Sequence, residues 1–342
     1  MNNGIIPVGK LPMPLLSRLL SNMHIDDKNV VVGPGIGQDA AVIRFGEQVL
    51  VFKTDPITFA TDSISWYLVT INANDISCMG GVPKYMLVTY LLPEAKTTAS
   101  MVEDLFAGLR QACSAIGVTL VGGHTEITHG LERPVAIGFM IGTLLGDSVI
   151  RSSGARPGDA VLLSKSIPIE AVSLIAREMP DRAGLDKEDI TEAQNLIYRP
   201  GISIVPEARI ALDTGGVSAM HDPTEGGLAT GLHEISQASG CGITVYSEKI
   251  PVHPLAQKIL PAFSIDPLGA LASGSLLVCC SHKNAGGILN AWKRAGITGA
   301  IIGEVTKERD TVLYSGGRAY DLPVFAADEI TKIFDPTCSS TV

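Results

Sequence analysis

No CxxC pair occurs among the six cysteines of this 342-residue chain (Cys78, Cys113, Cys241, Cys279, Cys280 and Cys338), so their spacing suggests neither a zinc site nor a disulfide framework. The thiols are expected to serve as small buried hydrophobes. A basic run of the kind that follows a phosphodiester backbone is also missing. The 26 Lys and Arg stand against 35 Asp and Glu, a net charge of −9, which speaks against nucleic acid as a partner. No apolar stretch reaches the ~20 residues needed to cross a bilayer. The opening MNNGIIPVGKLPMPLL lacks the charged start, apolar centre and small-residue cleavage site of a signal peptide, so a cytoplasmic protein without a membrane partner is expected.

Several familiar catalytic signatures are absent too. There is no G-x-x-x-x-G-K-[ST] phosphate loop, no GxSxG nucleophile elbow and no HExxH helix. The run Gly33-Pro34-Gly35-Ile36-Gly37 has the wrong third spacing for a dinucleotide fingerprint, and it leads into the β-prone AAVIRF rather than a helix. Neither an internal repeat nor a low-complexity segment is present.

What remains is an ordinary globular composition, 46% hydrophobic and 18% charged, in a chain long enough for two domains. The first half alternates strand-like runs with amphipathic segments. Strands are expected at 30–32, 40–45, 48–54, 84–92, 118–122 and 134–145, and helices at 63–79 and 98–116. The GARPGD turn marks a domain boundary, giving domains at 1–150 and 151–342. Beyond it the pattern predicts a strand at VLLS, helices at 169–178, 186–197 and 226–239, and further strands at 242–246 and 275–280. The fold class is α+β, with α/β character in the first half.

The densest chemical feature is a set of acidic residues beside glycines, expected at turns: Asp39 in GPGIGQDAAVI, Asp55 in FKTDP, Asp62 in ATDS, Asp75 in NANDISCMGG and Glu126 in VGGHTEIT. Carboxylates at strand ends can hold a hard cation that in turn binds phosphate, since Mg²⁺ is usually held by a few carboxylates together with phosphate oxygens and water. Glycines at 33, 35, 37, 80, 81, 122 and 123 let backbone N–H groups approach an anion. Asp and Gly are also the commonest turn residues, so one such loop would carry little weight. Five in one half of the chain carry more, though composition does not name a nucleotide.

These segments resemble the PurM-like (aminoimidazole ribonucleotide synthetase) superfamily, and within it the hydrogenase-maturation HypE family. GIGQDAAVI resembles the GxxDDAAV signature, KTDP the strand-end T-T-D, NDISCMGGVPKYM an N-D-x-x-x-x-G-x-x-P helix start, and LVGGHTEIT the G-G-x-T-E loop. In the second half GARPGDAVLLS, HDPTEGGLATGLHEI and IIGEV followed by YDLP resemble the corresponding strand entry, helix start and C-terminal strands, so the likeness spans about residues 9–325 in order. It implies an N-terminal domain that forms a barrel shared between the subunits of a homodimer, and a C-terminal α+β domain. It further implies ATP with Mg²⁺ as cofactors, held by Asp39, Asp55, Asp75 and Glu126, with Asn74, Gly122, Gly123 and Thr125 along the phosphates.

The same resemblance places Asp222 at a helix N-terminus facing substrate, where the plain alternative is an N-cap. His124 is either an acid/base or phosphate donor or a loop residue. Lys10 is either a phosphate contact or a solvated lysine. An amide-type or related oxygen would attack the γ-phosphate, and a maturation partner protein is implied. The alternatives are a nucleotide-binding scaffold without turnover and a small-molecule kinase of the thiamine-monophosphate kinase type.

The chain departs from the family at three places. Gln38-Asp39 replaces a paired acid, the glycine-rich H-G-x-G-G start is absent, and the chain ends IFDPTCSSTV, with Cys338 followed by four residues instead of a terminal P-R-I-C.

Overall fold

The computed structural model describes residues 6, 9–60, 62–144 and 149–334. Their backbone separates into two compact units, one from Ile25–Pro34 and Asp39–Val149, the other from the described residues of Met1–His24, Gly35–Gln38 and Ile150–Val342. The short helix α1 (Met13–Leu20) belongs to the latter.

The first unit contains strands β1 (Val30–Val32), β2 (Ala41–Phe45) and β3 (Gln48–Ile57), helix α2 (Ile64–Cys78), strand β4 (Gly81–Pro93), helix α3 (Ala99–Ile116), and strands β5 (Thr119–Thr128) and β6 (Val135–Leu144). They form a six-stranded sheet in the order β1-β2-β3-β6-β4-β5. Only β4 and β5 run parallel; that pairing needs a crossover, which α3 supplies.

Helix α2 is apolar nearly all round, and every residue from Ile64 to Cys78 except Trp66 is buried. Such a helix must be covered on all sides. It lies against β3, β6 and β4 on one face and α3 on the other. The fit depends on glycines in β6. A Cβ at Gly138 would come within 2.5 Å of Asn72 Nδ2, and one at Gly142 within 2.3 Å of Ile76 Cγ2.

Side chains alternate across a strand, so the cross-strand register assigns faces. The row Asp55, Gly138, Val88, Gly123 and the row Lys53, Met140, Met86, Leu120 lie on the side covered by α2. The rows through Phe52–Ile141–Tyr85 and Thr54–Phe139–Leu87–Gly122 lie on the other side, where Tyr85 and Phe139 are 49% and 38% exposed.

The second unit adds β7 (Asp159–Ser164), α4 (Ile169–Glu178), α5 (Lys187–Asn195), α6 (Val205–Thr214), β8 (Val217–His221), α7 (Gly227–Ser239), β9 (Gly242–Tyr246), α8 (Pro254–Ile259), β10 (Leu277–Ser281), α9 (His282–Arg294), β11 (Gly299–Thr306), β12 (Thr311–Ser315) and β13 (Arg318–Asp321). Its seven-stranded sheet runs β13-β12-β9-β11-β7-β10-β8. The core joins Val161 and Leu163 of β7 with Leu228, Leu232 and Ile235 of α7, Ile243 and Val245 of β9, and Ile302 and Val305 of β11. Burying each large aliphatic side chain contributes about 1.5–3 kcal/mol. Trp292 of α9 is fully buried, and its indole N–H donates to the Glu207 carbonyl at 3.0 Å.

Three expectations need correction. The VGGHTEIT segment is not a loop but the interior of β5, because its parallel pairing with β4 runs through Thr128. Asn74 and Asp75 lie near the end of α2 rather than at a helix start, and the chain after Gly80 is strand β4. Asp55 is likewise inside β3, not at a turn. Of the five cysteines among the described residues, four are buried. Cys338 lies outside the described residues.

Candidate functional site

The first unit gathers charge where β3 meets the end of α2. Lys53 and Asp55 are two residues apart on one strand and therefore share a face. The Lys53 ammonium stands 3.5 Å from Asp55 Oδ2 and 3.1 Å from Asp75 Oδ2. Asp39, buried in the segment just before β2, adds its charge to the same lysine. Burial opposes the ammonium charge, but Asp75, Asp55 and Asp39 outweigh it and hold Lys53 well above the ordinary lysine value.

The neighbouring amides fix this corner. Asn72 Nδ2 donates to the Leu68 carbonyl at 2.8 Å and to the Asp55 carbonyl at 3.4 Å, which ties α2 to β3 next to the acids. Asn74 is fully buried beside Asp75 in α2. Asp62 lies on an exposed bend just ahead of the helix. Two of the four expected metal-binding acids, Asp55 and Asp75, thus flank one lysine that sequence reasoning passed over, and Asp39 is near enough for its charge to act on that lysine. The signal was present in FKTDP: Lys and Asp at i and i+2 of a strand must point the same way.

Glu126 is elsewhere. Its strand, β5, is separated from β3 by β6 and β4. Its row, with Leu91, is on the face opposite α2, as is the row of His124 with Thr89. Glu126 accepts from Thr128 Oγ1 at 2.8 Å and lies 3.1 Å from His124 Nε2; these two contacts lower its pKa. Gly122 shares that open face, whereas Gly123 and Thr125 alternate to the other. A Cβ at Gly123 would sit 1.9 Å from the Val88 carbonyl oxygen, so only glycine permits that pairing.

Among the described residues, no three His, Cys, Asp or Glu side chains stand close enough together to hold a metal by themselves. Asp39, Asp55 and Asp75 nevertheless offer the hard oxygen donors that Mg²⁺ takes, and that ion is normally completed by phosphate oxygens and water rather than by a protein cage. The donor set fits an ion that arrives with a nucleotide.

The second unit holds two further polar clusters. Asp222 follows β8 and is 1% exposed. It does not cap α7, whose N-cap is Gly226 in the left-handed conformation, so the N-cap alternative fails. Its charge is felt by Glu170 at the start of α4, where burial first, and then Asp222, Asp328 and Glu225, push the carboxyl up to about 8 against a pull from Ser273. Asp328 accepts from the backbone N–H groups of Gly226 at 2.6 Å, Ile330 at 2.7 Å and Leu271 at 3.3 Å, yet burial still raises its pKa to about 7.

In the other cluster, His221 Nε2 is 2.7 Å from Glu234 Oε2, and Lys10 Nζ is 3.6 Å from Glu234 Oε1. Lys10 is therefore an ion-pair partner rather than a merely solvated lysine. Burial alone would raise Glu234, but Lys10 and His221 together hold it down at about 2.

The AIR synthase related protein models match the chain at residues 37–144 (N-terminal domain) and 156–315 (C-terminal domain). The chain belongs to the AIR synthase related family. A Methanocaldococcus jannaschii protein assigned to hydrogenase expression/formation is 27% identical over 95% of this chain and 97% of its own. Carbamoyl dehydratase HypE of Azotobacter vinelandii is 28% identical over 88% and 85%. The fold is that of HypE structures: one from a HypE–HypF complex superposes with a TM-score of 0.74 at 21% identity over 90% of this chain and 99% of that one. HypE in complex with ATP gives 0.70 at 23% identity over 90% and 94%. The N-terminal family model spans Lys53, Asp55 and Asp75, and the C-terminal one spans Glu170 and Asp222.

Proposed function

We propose that this protein is an ATP-dependent, HypE-like enzyme that activates an amide-type or related oxygen by phosphorylation. The observation that carries the reading is the pairing of Asp55 and Asp75 with Lys53, under the charge of Asp39, in a chain whose relatives include carbamoyl dehydratases and whose structural neighbours include an ATP complex.

Asp39, Asp55 and Asp75 would hold Mg²⁺, which on binding supplies neutralisation of the phosphate charge. The chain's own contribution is position. Asn72 fixes α2 against β3 so that the carboxylates are ordered beforehand, Asn74 lies buried beside Asp75, and Gly122, Gly123 and Thr125 on β5 present backbone to an anion. In the second unit, a Glu170 carboxyl raised to about 8 keeps a proton at neutral pH and can donate it beside Asp222. His124 serves as a polar donor on the open sheet face, where it is oriented by Glu126.

A homodimer joined through that open face would bring His124 and Glu126 into play. Tyr85, Phe139 and the neighbouring apolar rows are half-exposed there, and among the described residues β5 is the edge of the sheet. A maturation protein is the partner class, since a structural relative is seen with HypF. The work is expected in the cytoplasm.

The test is calorimetric titration with ATP, with and without Mg²⁺, followed by assay of phosphate release with carboxamide acceptors. Mg-dependent binding and free phosphate are expected. Tight binding without turnover on any acceptor would instead mark a scaffold, and a phosphorylated product would mark a kinase. Mass-resolved light scattering should give twice the chain mass of 35.9 kDa.

A further inference from the structure

We infer that Lys53 is a resident counter-ion of the acidic corner, one that keeps free divalent cations out and passes to the phosphates when a metal–nucleotide complex takes over the carboxylates. The inference deepens the proposed nucleotide site and rests on that reading.

Its basis is geometric. The Lys53 ammonium pairs with Asp55 at 3.5 Å and Asp75 at 3.1 Å. Strand alternation gives it no other side to occupy. Met140 lies opposite it in β6, and the helix closing the same face contributes Asp75. A divalent ion approaching alone would have to expel a cation already neutralising the acids and shed part of a tightly held water shell. A metal–nucleotide complex does not face the same penalty, because its phosphates offer the displaced ammonium a new anionic partner. Lysine suits this exchange: it is a compact charge on a flexible four-carbon stem, so Nζ can change partners without movement of β3. Each step is an exchange of ion pairs in which no covalent bond forms or breaks.

The test measures binding of Mn²⁺ alone, and of the Mg²⁺ complex of a non-hydrolysable ATP analogue, to the full-length wild type, Lys53→Met and Lys53→Arg. Lys53→Met is expected to bind bare Mn²⁺ at least tenfold more tightly than wild type and the nucleotide complex at least tenfold more weakly, while Lys53→Arg stays near wild type in both. Unchanged affinities in Lys53→Met would overturn the inference. Should that variant not fold, wild type decides: Mn²⁺ affinity must rise at least tenfold when the ATP analogue is present, and equal affinity with and without it overturns the exchange. Nucleotide binding to none of the three would refute the nucleotide site itself, and the bare Mn²⁺ titration would still judge the counter-ion role.

Discussion

Lys53 Nζ lies 3.1 Å from Asp75 Oδ2 and thereby joins the middle of a strand to the end of a buried helix. Their side chains are 19% and 5% exposed, so the pair is a structural tie as well as part of a ligand set. Beside its glycines Asp75 reads as a turn residue, even though it falls within the helix expected at 63–79. Its place inside α2 changes that expectation.

Asp75→Asn is therefore expected to weaken Mg-nucleotide binding and also to lower stability, by about 2–4 kcal/mol, because it leaves a largely buried ammonium short of a partner. Lys53→Met/Asp75→Asn should recover part of that loss, since it removes both charges. Urea denaturation of the two single variants and the double variant measures the coupling. Strictly additive effects would show that the two residues do not depend on each other.

Glu170 yields a pH prediction. Its folded pKa, about 8, lies above the ordinary value of 4.5. The folded state therefore binds a proton that the unfolded state has released between those values, and stability falls as pH rises through that window. Glu170→Gln is neutral throughout and lacks the effect. Thermal melts from about pH 5 to about pH 8 should show wild type losing several degrees relative to Glu170→Gln. Parallel curves would mean that Glu170 is ionised in the folded protein.

The difference in legibility between the two units has a physical basis. Strands such as β3 and helices such as α3 announce themselves through period-2 and period-3.6 patterns, and the acidic motifs of the first half stand close to their strands in sequence. Asp55 and Asp75 could be named for that reason. Glu170, Asp328 and Glu234 could not, because each acquires its role from residues distant in the chain: Asp328 from the N–H of Gly226, Glu234 from Lys10. Helices α6 and α9 were missed as well; α9 carries two glycines, Gly286 and Gly287, that blur its pattern. The reading of VGGHTEIT as a loop failed because glycine is a turn signal by propensity, whereas here Gly123 is set by a close strand approach to Val88.

Glycine substitutions separate these two uses. Gly138→Ala on β6 places a methyl 2.5 Å from the Asn72 amide that braces Asp55, and should cost about 1–3 kcal/mol together with a measurable loss of nucleotide affinity. Gly286→Ala in α9 meets nothing within 4 Å and should stabilise the protein by about 0.5–1 kcal/mol with binding unchanged. Chemical denaturation and calorimetry on both variants check the contrast. A neutral Gly138→Ala would mean that Asn72 is not constrained by the sheet.

The Lys10–Glu234–His221 cluster gives the opposite pH dependence from Glu170. Glu234 titrates at about 2 when folded against an ordinary 4.5, so its contribution to stability is present in full above 4.5 and is lost as pH falls towards 2. Glu234→Gln removes the carboxylate from a buried histidine 2.7 Å away and from the partly exposed Lys10. The expected loss is about 1–3 kcal/mol at neutral pH, most of it from the histidine contact, because solvent screens the lysine pair. Melting temperatures of wild type and Glu234→Gln should differ most above about pH 5 and converge as the solution is acidified below 4.5. A gap that stays constant down to about pH 3 would show that packing rather than charge holds this cluster together.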